Sequence, residues 1–215
     1  MSRAGEPGPG DVRDRPERWN VVAESTAFRG PVFGVRSDRV EMPRGDGTEV
    51  VRRDVVEHIG SVGVIALDDR DRVLLLGQYR HPVGRRLWEA PAGLRDVAGE
   101  PLQRLAEREL VEEAGYRAER WDTLVDVFPS PGMTDERVRI FLARGVTAVP
   151  PGEIGFERVH EEADMPVVWV PLEEAVRKVR AGDLHNMITC LGVLAAQAAR
   201  ASGFAGLRPP DAPET

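Results

Sequence analysis

The chain of 215 residues has a single cysteine, a single lysine (Lys178), two tyrosines and four histidines. Each scarcity excludes something. With Cys190 alone, no disulfide can form within the chain, and a reducing, cytoplasmic setting is expected. Cys190 lies among Met187, Ile188, Leu191 and Leu194, so it is expected to pack as a small hydrophobe rather than react. His58, His81, His160 and His185 do not have the spacing of a zinc site. No apolar run approaches the roughly 20 residues that span a bilayer. Residues 1–18 contain no apolar stretch of the kind a secretory signal needs. A membrane partner is therefore not expected. Net charge is −7, which disfavours attraction to nucleic acid. What is present suits a globular domain of ordinary size: 41% hydrophobic and 30% charged residues.

Residues 1–17 are rich in Gly, Pro, Arg and Asp, and residues 207–215 are similarly polar and Pro-rich. Both are expected to be disordered tails. Between them, 18–206 reads as one domain, with an N-terminal sheet over 18–58 and a core over 59–206. In the sheet, 27–29, 32–35 and 50–56 are β-rich and 44–47 is a turn. Segments 63–68 and 72–79 predict a hairpin, and 87–92 a short strand ending at Gly93. A helix is predicted over 101–114, with Pro101 in its first turn and Gly115 as its cap. Strands follow at 121–128, 137–143 and 167–170, an acidic loop at 147–164, and helices at 171–181 and 186–201. The pattern belongs to the α/β class, with a sheet sandwiched between helices.

The segment 93–116 carries the chemistry. Helical residues turn by about 100° each, so Leu102, Leu105 and Ala106 share one face, and Glu109 and Glu113 continue it, with Glu112 beside them. A solvated charge run would sit opposite the leucines with basic partners at i+4. Glu109 and Glu113 are instead like charges at i,i+4, which cost a few tenths of a kcal/mol even when exposed and more when part-buried. A divalent cation with oxygen ligands is the natural neutraliser. Arg108 points to a neighbouring face, either holding Glu100 or another carboxylate or standing as a surface arginine.

These residues resemble the Nudix box, G-x5-E-x7-R-E-u-x-E-E-x-G-u, where u is bulky and apolar. Glu100, Arg108, Glu109, Leu110, Glu112, Glu113, Gly115 and Tyr116 match it in spacing. Gly93 departs from it, lying seven positions before Glu100 instead of six. Gln78-Tyr79-Arg80, the run from Leu87 to Gly93, Pro131 at 15 residues after Tyr116, and the loop Ser130 to Glu136 resemble the ADP-ribose pyrophosphatase branch. Order and spacing are closest to its mycobacterial type.

The resemblance implies a Nudix-like α/β/α sandwich with a mixed sheet and an additional N-terminal antiparallel sheet that forms a homodimer. It implies hydrolysis of ADP-ribose to AMP and ribose 5-phosphate with Mg²⁺, or Mn²⁺ in its place. Another nucleotide sugar, a dinucleotide, or a non-catalytic nucleotide-binding role are the alternatives. The implied metal ligands are Glu109, Glu112, Glu113 and the Ala92 carbonyl, with Gly93 or Leu94 as rivals for the carbonyl. Glu162 is the implied general base, with Glu161 as its rival; Glu109 and Arg108 complete the catalytic group. Substrate contacts are assigned to Arg80, Glu89, Leu94, Gly132, Met133 and Asp135, with Phe28 and Arg53 from the N-terminal sheet.

Overall fold

A computed structural model describes residues 8–153 and 165–214. The expectations for residues 1–7 and for His160, Glu161 and Glu162 lie outside the described residues. The chain forms two compact units, residues 1–56 and 57–215. The first is a three-stranded sheet in the order β1 (Val21–Arg29), β2 (Phe33–Arg44), β3 (Gly47–His58), with β1 antiparallel to β2. These strands run much longer than the sequence suggests. All nine residues of β1 are exposed, so polarity does not alternate along it and its length leaves no hydrophobic trace.

The second unit contains β4 (Ser61–Leu67), β5 (Arg72–Arg80), β6 (Arg85–Glu89), β7 (Ala92–Leu94), α1 (Leu102–Glu109), β8 (Tyr116–Val127), β9 (Val138–Ala148), β10 (Val167–Pro171), α2 (Leu172–Ala181) and α3 (Met187–Ala201). Its seven-stranded sheet follows the path β10-β5-β4-β9-β8, with β6 paired to β5 and β7 to β4. β4 and β9 are parallel, so the sheet is mixed. Alternation along the strands makes both faces apolar. Val62, Val64, Ala66, Leu74 and Leu76 pack with Leu105, Ala106 and Leu110 on one side. Ile65, Leu67, Val73 and Leu75 pack with Leu172, Ala175, Val176, Val193 and Ala196 on the other. The result is the expected α/β/α sandwich.

Four expectations need correction. The predicted hairpin opens at once: β4 and β5 meet at Leu67 and Val73, after which β5 takes β6 and β4 takes β7. The single strand predicted over 87–92 is therefore two, interrupted at Ala90–Pro91. Pro91 has no N–H to give to a ladder. The Ala90 N–H goes instead to the Thr189 hydroxyl of α3 at 2.8 Å, and Thr189 is fully buried. Next, the predicted helix does not stay α-helical to its end. α1 begins after Pro101, and a π-helical turn, Leu110–Ala114, follows it. Gly115 closes that turn in the left-handed region, at φ 74°. Last, residues 207–214 are docked rather than free: Thr123 donates its N–H to the Arg208 carbonyl and its hydroxyl to the Pro209 carbonyl.

Cys190 packs as expected. Its thiol donates to the Leu184 carbonyl at 3.3 Å, and burial pushes its pKa up. Among the described residues no helix is long and apolar enough to cross a membrane.

Thr189→Val should leave the Ala90 N–H buried without an acceptor. The expected loss is about 1–3 kcal/mol, read as a lower urea midpoint at unchanged slope.

Candidate metal centre

The site is built where α1 leans on β7. Leu105, Ala106 and Leu110 anchor the helix in the core, each no more than 1% exposed. The acidic residues follow on that same side. Glu113 is 6% exposed, while the side chains of Glu109 and Glu112 are 12% and 23% exposed. The stripe inferred from helical spacing is therefore real, although the π-helical turn widens its last part. Such turns recur at functional sites because they re-aim side chains.

Two contacts fix the helix against the strand. Glu113 Oε2 accepts the Ala92 N–H at 2.9 Å. The Glu109 carboxyl lies directly over Gly93, so a Cβ at that position would overlap it. This close approach explains why glycine stands there.

The strand sets the directions of the rival carbonyls. Pro91 C=O accepts from Val64 of β4, and the Arg95 N–H donates to Gly60 C=O. With Val62 opposite Gly93 in the register, the Gly93 carbonyl turns toward β4. Ala92 and Leu94 turn theirs away, as the Ala92 N–H on Glu113 shows. Leu94 C=O already accepts the Asp96 N–H at 2.9 Å. Ala92 is thus the carbonyl best disposed toward the carboxylates.

Arg108 runs across the acidic group. Its guanidinium contacts Glu109 at 3.1 Å, Glu112 at 3.0 Å, Glu100 at 3.4 Å and Asp96 at 3.6 Å. Burial alone would lower its pKa; the Glu100 hydrogen bond and the charges of Glu109 and Glu112 outweigh that and raise it. Arg108 is therefore paired with several carboxylates and only part-exposed. Asp96 is a partner that box spacing did not reveal, because it lies in an irregular loop.

Three carboxylates and a strand carbonyl form an all-oxygen donor set of the kind a hard divalent cation takes. Among the described residues, no three His, Cys, Asp or Glu side chains already converge on one point. A cation would be gripped by small side-chain rotations around the fixed β7. The donor chemistry and the cradle over Gly93 fit such an ion.

The remaining assigned residues fall in separate places. Glu89, 2% exposed, receives Arg80 through two nitrogens at 2.7–3.2 Å. The two residues thus form one unit on the β5–β6 pair. Gly132, Met133 and Asp135 lie in the loop between β8 and β9. Met133 is 55% exposed, and Asp135 accepts the His58 N–H at 2.9 Å. Asp135 therefore ties this loop down. Phe28 and Arg53 belong to the N-terminal unit, where Phe28 stacks near Phe33 with ring centroids 5.6 Å apart, and Arg53 contacts the Arg52 carbonyl and Met42.

Comparison with known proteins points the same way. Residues 57–189 match the NUDIX domain family. An ADP-ribose pyrophosphatase of Mycobacterium tuberculosis is 46% identical over 194 residues, covering 90% of this chain and 89% of the relative. An ADP-ribose pyrophosphatase of Bacillus subtilis is 30% identical, covering 80% of this chain and 89% of its own. A solved structure described as an ADP compounds hydrolase shares the fold at a TM-score of 0.70 and 20% identity, over 90% of this chain and 100% of its own.

Gly93→Ala should push the Glu109 carboxyl off β7. Affinity for Mn²⁺, measured by calorimetric titration of the protein alone, is expected to fall about tenfold or more. Unchanged affinity would remove Glu109 from the ligand set.

Proposed function

The chain belongs to the NUDIX domain family, and on that premise we propose that it hydrolyses the diphosphate of ADP-ribose to AMP and ribose 5-phosphate. The observation that carries the chemistry is the Glu109 carboxyl lying over Gly93 beside the Ala92–Glu113 bond. The names of the relatives at 46% and 30% identity support the substrate.

A diphosphate resists attack because its negative charge repels a nucleophile. A bound Mg²⁺, or Mn²⁺ in its place, would screen that charge and lower the pKa of bound water. Glu109, Glu112 and Glu113 with the Ala92 carbonyl would hold it. Arg108 orients Glu109 and Glu112 and keeps their repulsion in check. Glu162, or Glu161 in its stead, would take the proton of the attacking water. Arg80, oriented by Glu89, would donate to a phosphate, for which a planar guanidinium is suited. Leu94, Gly132, Met133, Asp135, Phe28 and Arg53 are the further substrate contacts proposed. The lone, part-buried cysteine supports a cytoplasmic setting.

The N-terminal sheet is proposed to form a homodimer. It exposes Val21, Val22, Phe28, Phe33 and Val50, each 46–51% accessible. A three-stranded sheet with that much bare apolar surface favours a cover. Equilibrium sedimentation should give twice the chain mass at micromolar concentration, and a monomer there would refute the pairing.

Incubation with Mg²⁺ and a panel of nucleoside diphosphate compounds tests the function through AMP release. ADP-ribose should give the highest kcat/KM. A much better dinucleotide or other nucleotide sugar would overturn the substrate, and no cleavage at all would leave a binding protein. Glu109→Gln should fold normally and lose on the order of 100-fold in turnover.

A further inference from the structure

Residues 207–214 do more than cover the edge of the sheet. They run beside β8, held by the two Thr123 hydrogen bonds of 2.9 Å to Arg208 and Pro209. Arg208 pairs with Asp126 at 2.9 Å. The Arg139 side chain, only 2% exposed, donates to Asp126 through two nitrogens and to the Ala212 carbonyl at 2.7 Å. Burial would push the Asp126 pKa up, but the bonds from Arg139 and Arg208 hold it below the usual carboxylate range. A buried guanidinium that loses one acceptor is costly. The segment therefore belongs to the folded unit.

Its far end reaches the loop that leaves β7. Glu214 accepts two hydrogen bonds from Arg95, at 2.5 and 3.0 Å, on the surface of the unit. Arg95 in turn donates its N–H to Gly60 at 3.1 Å, and its side chain covers Gly60. Its Nε is buried without a hydrogen-bond partner. That leaves the Glu214 contact as the tie that keeps the guanidinium in place. The next residue, Asp96, bonds back to Leu94 and faces Arg108 at 3.6 Å. Glu214 thus holds Arg95, the backbone carries that hold to the adjoining Asp96, and Asp96 pairs with Arg108, which in turn contacts Glu109 and Glu112.

We propose that segment 207–214 is a strap that sets the end of β7 and Arg108 for cation binding, with Glu214 and Arg95 as positioning residues. The proposal rests on the metal reading given above. Without Glu214, Arg95 would turn to solvent, and the 95–96 corner would lose its hold on both Gly60 and Arg108. The box carboxylates would then start from a looser arrangement, and the cation would have to order them at the expense of affinity.

The test titrates Mn²⁺ alone, by calorimetry, into the wild-type chain, Glu214→Gln, a chain ending at Gly206, the double variant Arg95→Glu with Glu214→Arg, and Glu109→Gln. Thermal unfolding is followed in parallel. Glu214→Gln and the shortened chain should raise the Mn²⁺ Kd about tenfold, and the double variant should recover part of that loss. A strap that serves stability alone would lower Tm and leave Kd unchanged. If the shortened chain does not fold, Glu214→Gln decides, since it keeps the side-chain shape. Wild-type Kd in Glu214→Gln, with binding lost in Glu109→Gln, would overturn the strap and leave the metal site standing. Wild-type Kd in Glu109→Gln would bring down the metal reading and the strap together.

Discussion

Glu113 accepts a backbone N–H from Ala92, and the placement of the other acidic groups follows from that bond. It pins the last turn of the acidic helix to a three-residue strand. Glu109, one turn earlier, then has to lie over Gly93, where only a hydrogen leaves room. The strand can accept this load because β4 grips its other edge. That grip is available because β4 and β5 part immediately after their turn, which frees an edge of β4 for β7. Local pairing, the break at Pro91 and the position of the carboxylates form one chain of causes.

Electrostatics supply the second constraint. Glutamates on the inward side of a helix repel one another and lose hydration. Arg108 offsets part of this by touching Glu109, Glu112, Glu100 and Asp96 together. A divalent cation would offset more, because it would bring two charges to oxygen donors gathered on one side of the helix. The same concentration of positive charge is what a diphosphate needs before water can attack it. The proposed ion binding and the proposed reaction would therefore answer to a single charge-balance problem.

The sheet carries the site at one end and is secured at several distant points. Thr189 of α3 takes the Ala90 N–H just before β7, and Arg139 and Thr123 hold the C-terminal segment against β8 and β9. Rigid support from remote elements fixes the strand against which the flexible glutamate side chains pack.

Helical spacing was enough to show that Glu109 and Glu113 continue the face of Leu105, because a period of 3.6 residues is local and repeats. Box spacing added Glu100 and Arg108 for the same reason. The extra residue after Gly93 left the carbonyl ligand open in the sequence. The pairing of Val62 with Gly93 narrowed it, since strand alternation assigns each carbonyl an edge only once the partner strand is known. The long strands of the N-terminal sheet and the docked C-terminal segment had no local signature either, whereas Pro91 did mark the split in its strand. Arg95 and Glu214 are 119 residues apart, and a Pro-rich polar tail reads as disordered until its partners are in place. Sequence by itself therefore determined the helix, its acidic face and the kind of ion it suits. Tertiary structure alone decided which backbone carbonyls turn toward the acidic face and which remote residues secure that strand, because those contacts join residues far apart in the chain.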